Sequence, residues 1–274
     1  MNKIKWLLEK DVFSEDLQPL KDEIIKQGFE YLETEYITFQ SRSYDKLFDL
    51  NDCVIFYGSL NLALSLQKSI TPYPKYVYCT RENYECTKYY AYFGKWLMAQ
   101  NYIMLPYAEL KRKQDWLYEV LGEDGAIFVR PSSGAKIFTG QLVHLENFDR
   151  EYELLGFYDV DPHAVVVVSE PRNVIKEWRL VIAEDKIIAG SLYSDRTLNL
   201  NYEGYTDQVR ELAEEILRST EYRPDPVWTM DFCETKSGDL YLLEIGGFSC
   251  AGLYLCDMKP IVREVSRISK QRMG

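Results

Sequence analysis

Apolar and polar positions along the chain fall into short blocks that change period. Lys3 to Leu8 and Asp52 to Tyr57 are apolar runs with β-branched or aromatic content and read as buried strands. Between them, Ser14-Glu15-Asp16 opens a helix whose Leu17, Leu20, Ile24 and Ile25 recur at helical spacing until Gly28 stops it. A further short strand is expected near Lys75 to Cys79, after the turn residues Pro72 and Pro74. This succession predicts a small α/β unit over roughly the first 80 residues. Tyr84 to Gln100 then reads as a helix rich in Tyr and Trp, ending before NYIMLP. Ala126 to Pro131 (AIFVRP) reads as a strand running into the small-residue loop SSGAKIFTG.

In the second half, Ala164 to Val168 (AVVVV) is a fully apolar strand ending at Ser169-Glu170-Pro171. EWRLVIAEDKIIAGSLY alternates as a hairpin turning at Glu184-Asp185, and WTMDFCETKSGDLYLLEI as a second one turning between Lys236 and Asp239. Thr206 to Ser219 is an amphipathic helix with Val209, Leu212, Ala213, Ile216 and Leu217 on one face. Pro260 to Lys270 is a basic amphipathic helix. Neither an internal repeat nor a low-complexity linker interrupts the pattern.

Composition narrows the function classes. With 46% hydrophobic and 27% charged residues among 274, the balance is that of a globular protein rather than a disordered one. The net charge of −11 gives no whole-surface attraction for nucleic acid or anionic lipid, so no broad nucleic-acid surface is expected. No apolar run reaches the roughly 18 to 20 residues that span a bilayer, so no membrane contact is expected. Glu9, Lys10 and Asp11 cut short the one apolar stretch near the N-terminus, and a cytoplasmic protein is expected. The six cysteines lack zinc-type spacing and read as buried free thiols. With only His144 and His163 present, Ser-His-Asp and Cys-His chemistry is disfavoured, and any metal is expected to be a hard cation on oxygen ligands.

Three groups of residues carry chemical potential. Asp231 and Glu244 lie on the two strands of one hairpin against Met230, Phe232, Leu242, Leu243 and Ile245. Two such carboxylates suit Mg²⁺ with bound phosphates, although two solvated hairpin residues give the same pattern. Arg130-Pro131-Ser132-Ser133-Gly134-Ala135-Lys136 sets cations at both ends of a hydroxyl-rich turn able to wrap a polyphosphate. It is neither a Walker A nor a dinucleotide fingerprint, and a plain inter-strand turn has the same composition. Glu170 closes the valine strand and Glu177 follows seven residues later, so one can flank a purine and the other a ribose, or both can be surface glutamates.

In order and spacing, these groups resemble the nucleotide site of the ATP-grasp superfamily over roughly residues 85 to 255. The resemblance implies an α+β fold in which two subdomains clasp ATP, preceded by a small α/β pre-grasp domain. Its boundaries would be 1–83 for the pre-grasp domain and 84–274 for the ATP-grasp domain, the latter divided into 84–163 and 164–274. It places Lys88 (with Lys95 as the alternative), Arg130, Ser132, Ser133 and Lys136 on phosphates, Glu170 at the adenine hinge and Glu177 at the ribose. Asp231 and Glu244 would be the magnesium ligands. Arginine at position 130, where the family usually has lysine before proline, is similar to a clade of small phage and bacterial members. The family's Glu-x-Asn is here Glu244-Ile245-Gly246, leaving one metal position to water, a carbonyl or a neighbour such as Ser249.

The implied activity is a ligase that uses Mg-ATP to join a carboxylate, on a small molecule or peptide, to an amine or thiol through an acylphosphate. Arg130 would neutralise phosphate charge, while Arg179 and Arg196 are candidates for the acylphosphate or substrate carboxylate, structural ion pairing being the alternative for both. An ATP-binding module without turnover and a kinase using the same cleft are the competing readings. A homodimer is implied by the resemblance alone. The Tyr57-Gly58-Ser59 strand end either approaches substrate or is a simple turn into a helix, and the 22 tyrosines read mainly as packing.

Overall fold

The computed structural model describes residues 3–36, 48–49, 51–68, 75–134, 137–157 and 159–273. Pro72, Pro74, Ala135 and Lys136 lie outside the described residues. The chain begins with β1 (Ile4–Glu9), α1 (Ser14–Lys26), β2 (Glu30–Thr34), β3 (Cys53–Tyr57) and α2 (Leu60–Gln67). Next come α3 (Cys86–Phe93), β4 (Tyr102–Pro106), α4 (Glu109–Arg112), α5 (Gln114–Leu121), β5 (Ala126–Pro131), β6 (Gln141–His144), α6 (Phe148–Gly156) and β7 (Val165–Ser169). The last stretch holds β8 (Val174–Ala183), β9 (Lys186–Asp195), β10 (Tyr202–Glu203), α7 (Asp207–Ser219), β11 (Val227–Thr235), β12 (Leu240–Gly247) and α8 (Met258–Gln271).

The chain divides into two compact units, one of residues 1–80, 175–232 and 244–274, the other of 81–174 and 233–243. This differs from a division in chain order at 83 and 163. Backbone pairing explains part of the difference, because β7 is hydrogen-bonded to β4 and β5 and so joins residues 165–169 to the unit that holds 81–163.

In the first unit, β1 lies between β2 and β3 in a parallel sheet, with Trp6 paired to Tyr31 and to Ile55. Parallel pairing requires a crossover, and α1 supplies it between β1 and β2. Leu20 and Ile24 of α1 and Trp6 and Leu8 of β1 share one core with Ile261, Val265 and Ile268 of α8. β8 and β9 form the expected antiparallel hairpin, and β10 adds to the outer side of β9. Thr206, expected as the first helical residue, lies just outside α7 and caps it by accepting a hydrogen bond from Val209 N.

Lys75 to Cys79 is not a strand. It makes a single parallel bridge, Ile55 to Tyr76, because the next backbone groups are taken elsewhere: Tyr78 N donates to Ser249 Oγ, and Tyr78 O accepts from Ser249 N. Tyr57-Gly58-Ser59 is a turn into α2, which Ser59 caps through Leu62 N while Ser59 N donates to Glu9 Oε2 at 2.6 Å. A Cβ on Gly58 would lie 2.5 Å from Glu9 Cβ, so the close approach requires glycine.

The second unit is built on an antiparallel sheet ordered β4-β7-β5-β6. Ile127, Val129, Val166 and Val168 pack with Leu110, Leu117 and Phe148 as its core. The helix expected from Tyr84 to Gln100 is shorter. It ends at Phe93, tightens into a 3₁₀ turn over Gly94–Trp96, and becomes extended at Leu97, whose backbone bridges Leu242. All six cysteines are free, five of them buried.

Candidate functional site

In the second unit, β5 carries Arg130 opposite Val167 of β7 and delivers the chain into Ser132-Ser133-Gly134. Ser132 is buried, and its polar atoms serve the fold: its carbonyl accepts from Cys86 N at 2.9 Å and its hydroxyl from Thr87 N at 3.3 Å. It therefore caps α3 from outside the helix, whose own N-cap residue, Glu85, makes no side-chain cap. Ser133 Oγ lies 3.5 Å from an Arg81 nitrogen. Lys88 is exposed on α3 and donates to Asn83 Oδ1. Lys95 stands over the Trp96 ring at 4.1 Å, a cation–π contact. Glu170, just past β7, accepts from Asn101 Nδ2 and from an Arg172 nitrogen, both at 2.8 Å.

In the first unit a denser cluster forms. Arg179 on β8 meets Asp231 on the adjacent β11 in a fork, Nε to Oδ1 at 2.8 Å and a terminal nitrogen to Oδ2 at 2.6 Å. The other terminal nitrogen donates to Gly252 O at 2.8 Å. Burial works against this guanidinium's charge, but the Asp231 carboxylate outweighs it and holds the pKa above its ordinary value. Of the two readings of Arg179, this structure realises the ion pair.

Glu177, two residues earlier on the same face, accepts from the Tyr193 hydroxyl at 2.9 Å and is approached by Arg196 at 3.4 Å. The β8–β9 register shifts between Glu177 and Trp178, leaving Tyr193 as the extra residue of a bulge. Bulges re-aim side chains, and this one sends the Tyr193 hydroxyl to Glu177, with Asp231 Oδ2 at 3.5 Å. Burial, then the charges of Asp231, Glu177 and Glu244, raise the Tyr193 pKa. Tyr193 stacks on Tyr254 at 4.5 Å, and the Arg179 guanidinium lies 5.7 and 5.1 Å from the two rings.

Reading the sequence as packing tyrosines missed Tyr193 and Tyr254. No local pattern marks a bulge residue or the left-handed backbone of Tyr254 (φ 51°).

The segment holding Tyr254 is clamped from a second side by Asp16 of α1. Its carboxylate accepts from Leu253 N at 2.6 Å and from the Tyr57 hydroxyl at 3.2 Å. Burial raises the Asp16 pKa, against the lowering effect of those hydrogen bonds.

The donor set bears on the implied cation. Asp231 and Glu244 both act on Tyr193, and their oxygens are hard ligands of the kind Mg²⁺ takes. Among the described residues no group of three or more His, Cys, Asp or Glu is arranged to hold a metal. Two carboxylates nonetheless fit Mg²⁺, which usually completes its shell with water and substrate phosphate. A side chain at position 246 has little room: a Cβ there would lie 2.8 Å from Thr229 Oγ1, which donates to Gly246 O. Ser249, the neighbour weighed for the position of the family's asparagine, is fully buried, and its hydroxyl accepts from Tyr78 N.

The fold has close counterparts. D-cycloserine synthetase DcsG superposes with a TM-score of 0.66 at 12% identity, covering 99% of this chain and 100% of that one. D-alanyl-alanine synthetase A from Vibrio cholerae gives 0.60 at 14% identity, covering 100% and 98%. The ATP-grasp ligase PsnB, solved with a precursor variant, Mg and ADP, gives 0.56 at 10% identity, covering 100% and 98%. No curated protein sequence matches. Among the described residues no helix is long and apolar enough to cross a membrane. The sequence model of the ATP-grasp domain, R-2-K clade family 2, matches residues 109–263, and the chain therefore belongs to the ATP-grasp family.

Proposed function

We propose that the protein is an ATP-dependent ligase that joins a carboxylate to an amine or thiol. The carrying observation is the cluster of carboxylates at Glu177, Asp231 and Glu244 around Tyr193, with the Arg179 cation held beside it. Phosphoryl transfer demands positioning and charge neutralisation more than covalent catalysis, and this cluster supplies both signs of charge in a desolvated setting. A substrate carboxylate oxygen bonds to the γ-phosphorus as the bond to the bridging oxygen of ADP breaks. The nucleophile then bonds to the acyl carbon, phosphate leaves with the electrons of the C–O bond, and the amine or thiol proton passes to phosphate or solvent.

Each residue has a part in this scheme. Asp231 and Glu244 would hold Mg²⁺, whose contribution when bound is to offset phosphate charge. Arg179 would take the acylphosphate or substrate carboxylate with its planar fork, which requires the Asp231 pair to open. Arg196 takes the substrate carboxylate. Glu177 accepts from ribose hydroxyls, Glu170 from the purine amino group, and Lys88, Arg130, Ser133 and Lys136 attend the phosphates. Ser132 acts through the loop it anchors. Peptide or small-molecule acids are the proposed substrate classes, because PsnB is solved with a precursor peptide while other similar structures are synthetases of D-cycloserine and D-alanyl-alanine.

The test is calorimetric titration with a non-hydrolysable ATP analogue, with and without Mg²⁺, on wild type and Glu244→Ala, followed by a screen for substrate-dependent ADP release. Magnesium-dependent binding weakened by Glu244→Ala is expected, and absence of binding in every condition would refute the assignment. One observation favours a second reading, a nucleotide-binding module without turnover: Thr229 crowds position 246, where the family usually presents a metal-binding asparagine. Nucleotide binding without ADP release for any acid and nucleophile would favour it.

A further inference from the structure

Arg81 opens the 3₁₀ turn Arg81–Tyr84 just before α3, and its Nε is buried with no hydrogen-bond partner among the described residues. A terminal nitrogen lies 3.5 Å from Ser133 Oγ, at the outer limit of hydrogen bonding. No carboxylate pairs with it among the described residues. Nε itself is closed off from solvent, but a guanidinium carries five donors and a permanent charge, and with no described carboxylate beside it the terminal nitrogens and the charge are left for a partner outside the fold.

Its surroundings say what kind. The segment 81–87 and the loop 132–134 are fastened to each other: Cys86 N and Thr87 N donate to Ser132 at one point, and Arg81 reaches Ser133 at another. Arg81 is thereby held against a hydroxyl- and glycine-containing turn at the end of β5, just after Arg130. Backbone amides, hydroxyls and a fixed guanidinium fork are the donors that bind phosphate oxygens.

We propose that Arg81 is a phosphate-binding residue that donates through its terminal guanidinium nitrogens to the polyphosphate of a nucleoside triphosphate at the Ser132–Gly134 turn. The proposal rests on the nucleotide-binding reading above and adds a cation that the sequence pattern did not single out. Lys88, seven residues on and engaged with Asn83, is a separate contact.

The experiment compares dissociation constants for AMPPNP, ADP and AMP in wild type, Arg81→Gln and Arg81→Lys, with thermal unfolding in the absence of nucleotide as the check on folding. Losing a charge-assisted contact should weaken AMPPNP by about tenfold or more, with a smaller effect on AMP. Arg81→Lys should recover part of the loss, because it restores the charge without the fork. An equal loss for AMPPNP and AMP, or no loss, overturns the proposal while leaving the nucleotide site in place. Wild type that binds no nucleotide overturns both. If Arg81→Gln does not fold, Arg81→Lys decides: a loss that grows with phosphate number supports the contact, and none removes it.

Discussion

Removing either member of the Arg179–Asp231 pair leaves the other charge buried without its partner. The side chains are 12% and 3% exposed, and two hydrogen bonds join them at 2.6 and 2.8 Å. With charge centres about 4 Å apart and an effective dielectric of ~20, the attraction is about 4 kcal/mol, set against the cost of desolvating both groups. Truncating one partner of such a pair costs about 3–5 kcal/mol, most of it the penalty of the orphaned ion. Arg179→Met and Asp231→Asn should each lower the unfolding free energy by about 3 kcal/mol, and the double variant by little more than either, a coupling of roughly 2–3 kcal/mol. Equilibrium urea unfolding followed by tryptophan fluorescence measures this, with each single variant shifting the midpoint by about 1 M at a slope of ~3 kcal/mol/M. The coupling should persist at high salt, since a buried pair is weakly screened. Single effects that add within about 0.5 kcal/mol would refute the reasoning.

Gly246→Ala drives a Cβ to 2.8 Å from Thr229 Oγ1 and should cost about 1–3 kcal/mol in thermal unfolding, part of it recovered by adding Thr229→Ala; wild-type stability would refute the crowding. Asp16 has a raised pKa, so the folded state binds its proton more tightly than the unfolded state, whose value is near 3.8. Its contribution to stability is therefore largest below that value, falls as pH rises through the raised folded value, and is level above it. Asp16→Asn should lack this decline, so the wild-type-minus-variant difference in urea midpoint should fall with rising pH; a pH-independent difference would refute it. Ser132→Ala removes the acceptor for Thr87 N and should lower stability by about 1 kcal/mol, with little effect on nucleotide affinity beyond that. A stable variant with sharply weakened binding would instead give the hydroxyl to phosphate.

What was legible in the sequence had a strong local signal. The β8–β9 and β11–β12 hairpins follow from alternation around polar turns, and α7 from its apolar stripe behind Thr206. Short elements with weak contrast were not legible. β2 reads Glu-Tyr-Leu-Glu-Thr and stays half-exposed, β6 has four residues, and α2 is apolar on nearly every side. The candidate site divides in the same way. Period-two spacing put Glu177 and Arg179 on one face, and both do meet Tyr193. That Asp231 would take the Nε edge of Arg179 with both oxygens depends on how β8 and β11 are set side by side, which no spacing within either strand encodes. Arg81 escaped notice because an unmatched donor is visible only once its surroundings are.

The core that joins β1 to α8 has a consequence for how the protein is made. Trp6, Leu8 and Ile24 leave the ribosome long before Val265 and Ile268, the residues that cover them, and Trp6 Nε1 waits for Ser266 Oγ, 260 residues later. During synthesis the first sheet is thus an unfinished half-core until α8 has been made, with Trp6 and Leu8 uncovered in the meantime. For the same reason a fragment cut at the family's boundaries, 109–263, would retain the catalytic candidates Arg130, Arg179 and Arg196 and lose the packing that supports two of them. Trimming to the recognisable domain would therefore discard β1, α1 and the end of α8 with Val265 and Ile268, which share one core with the strands that are kept.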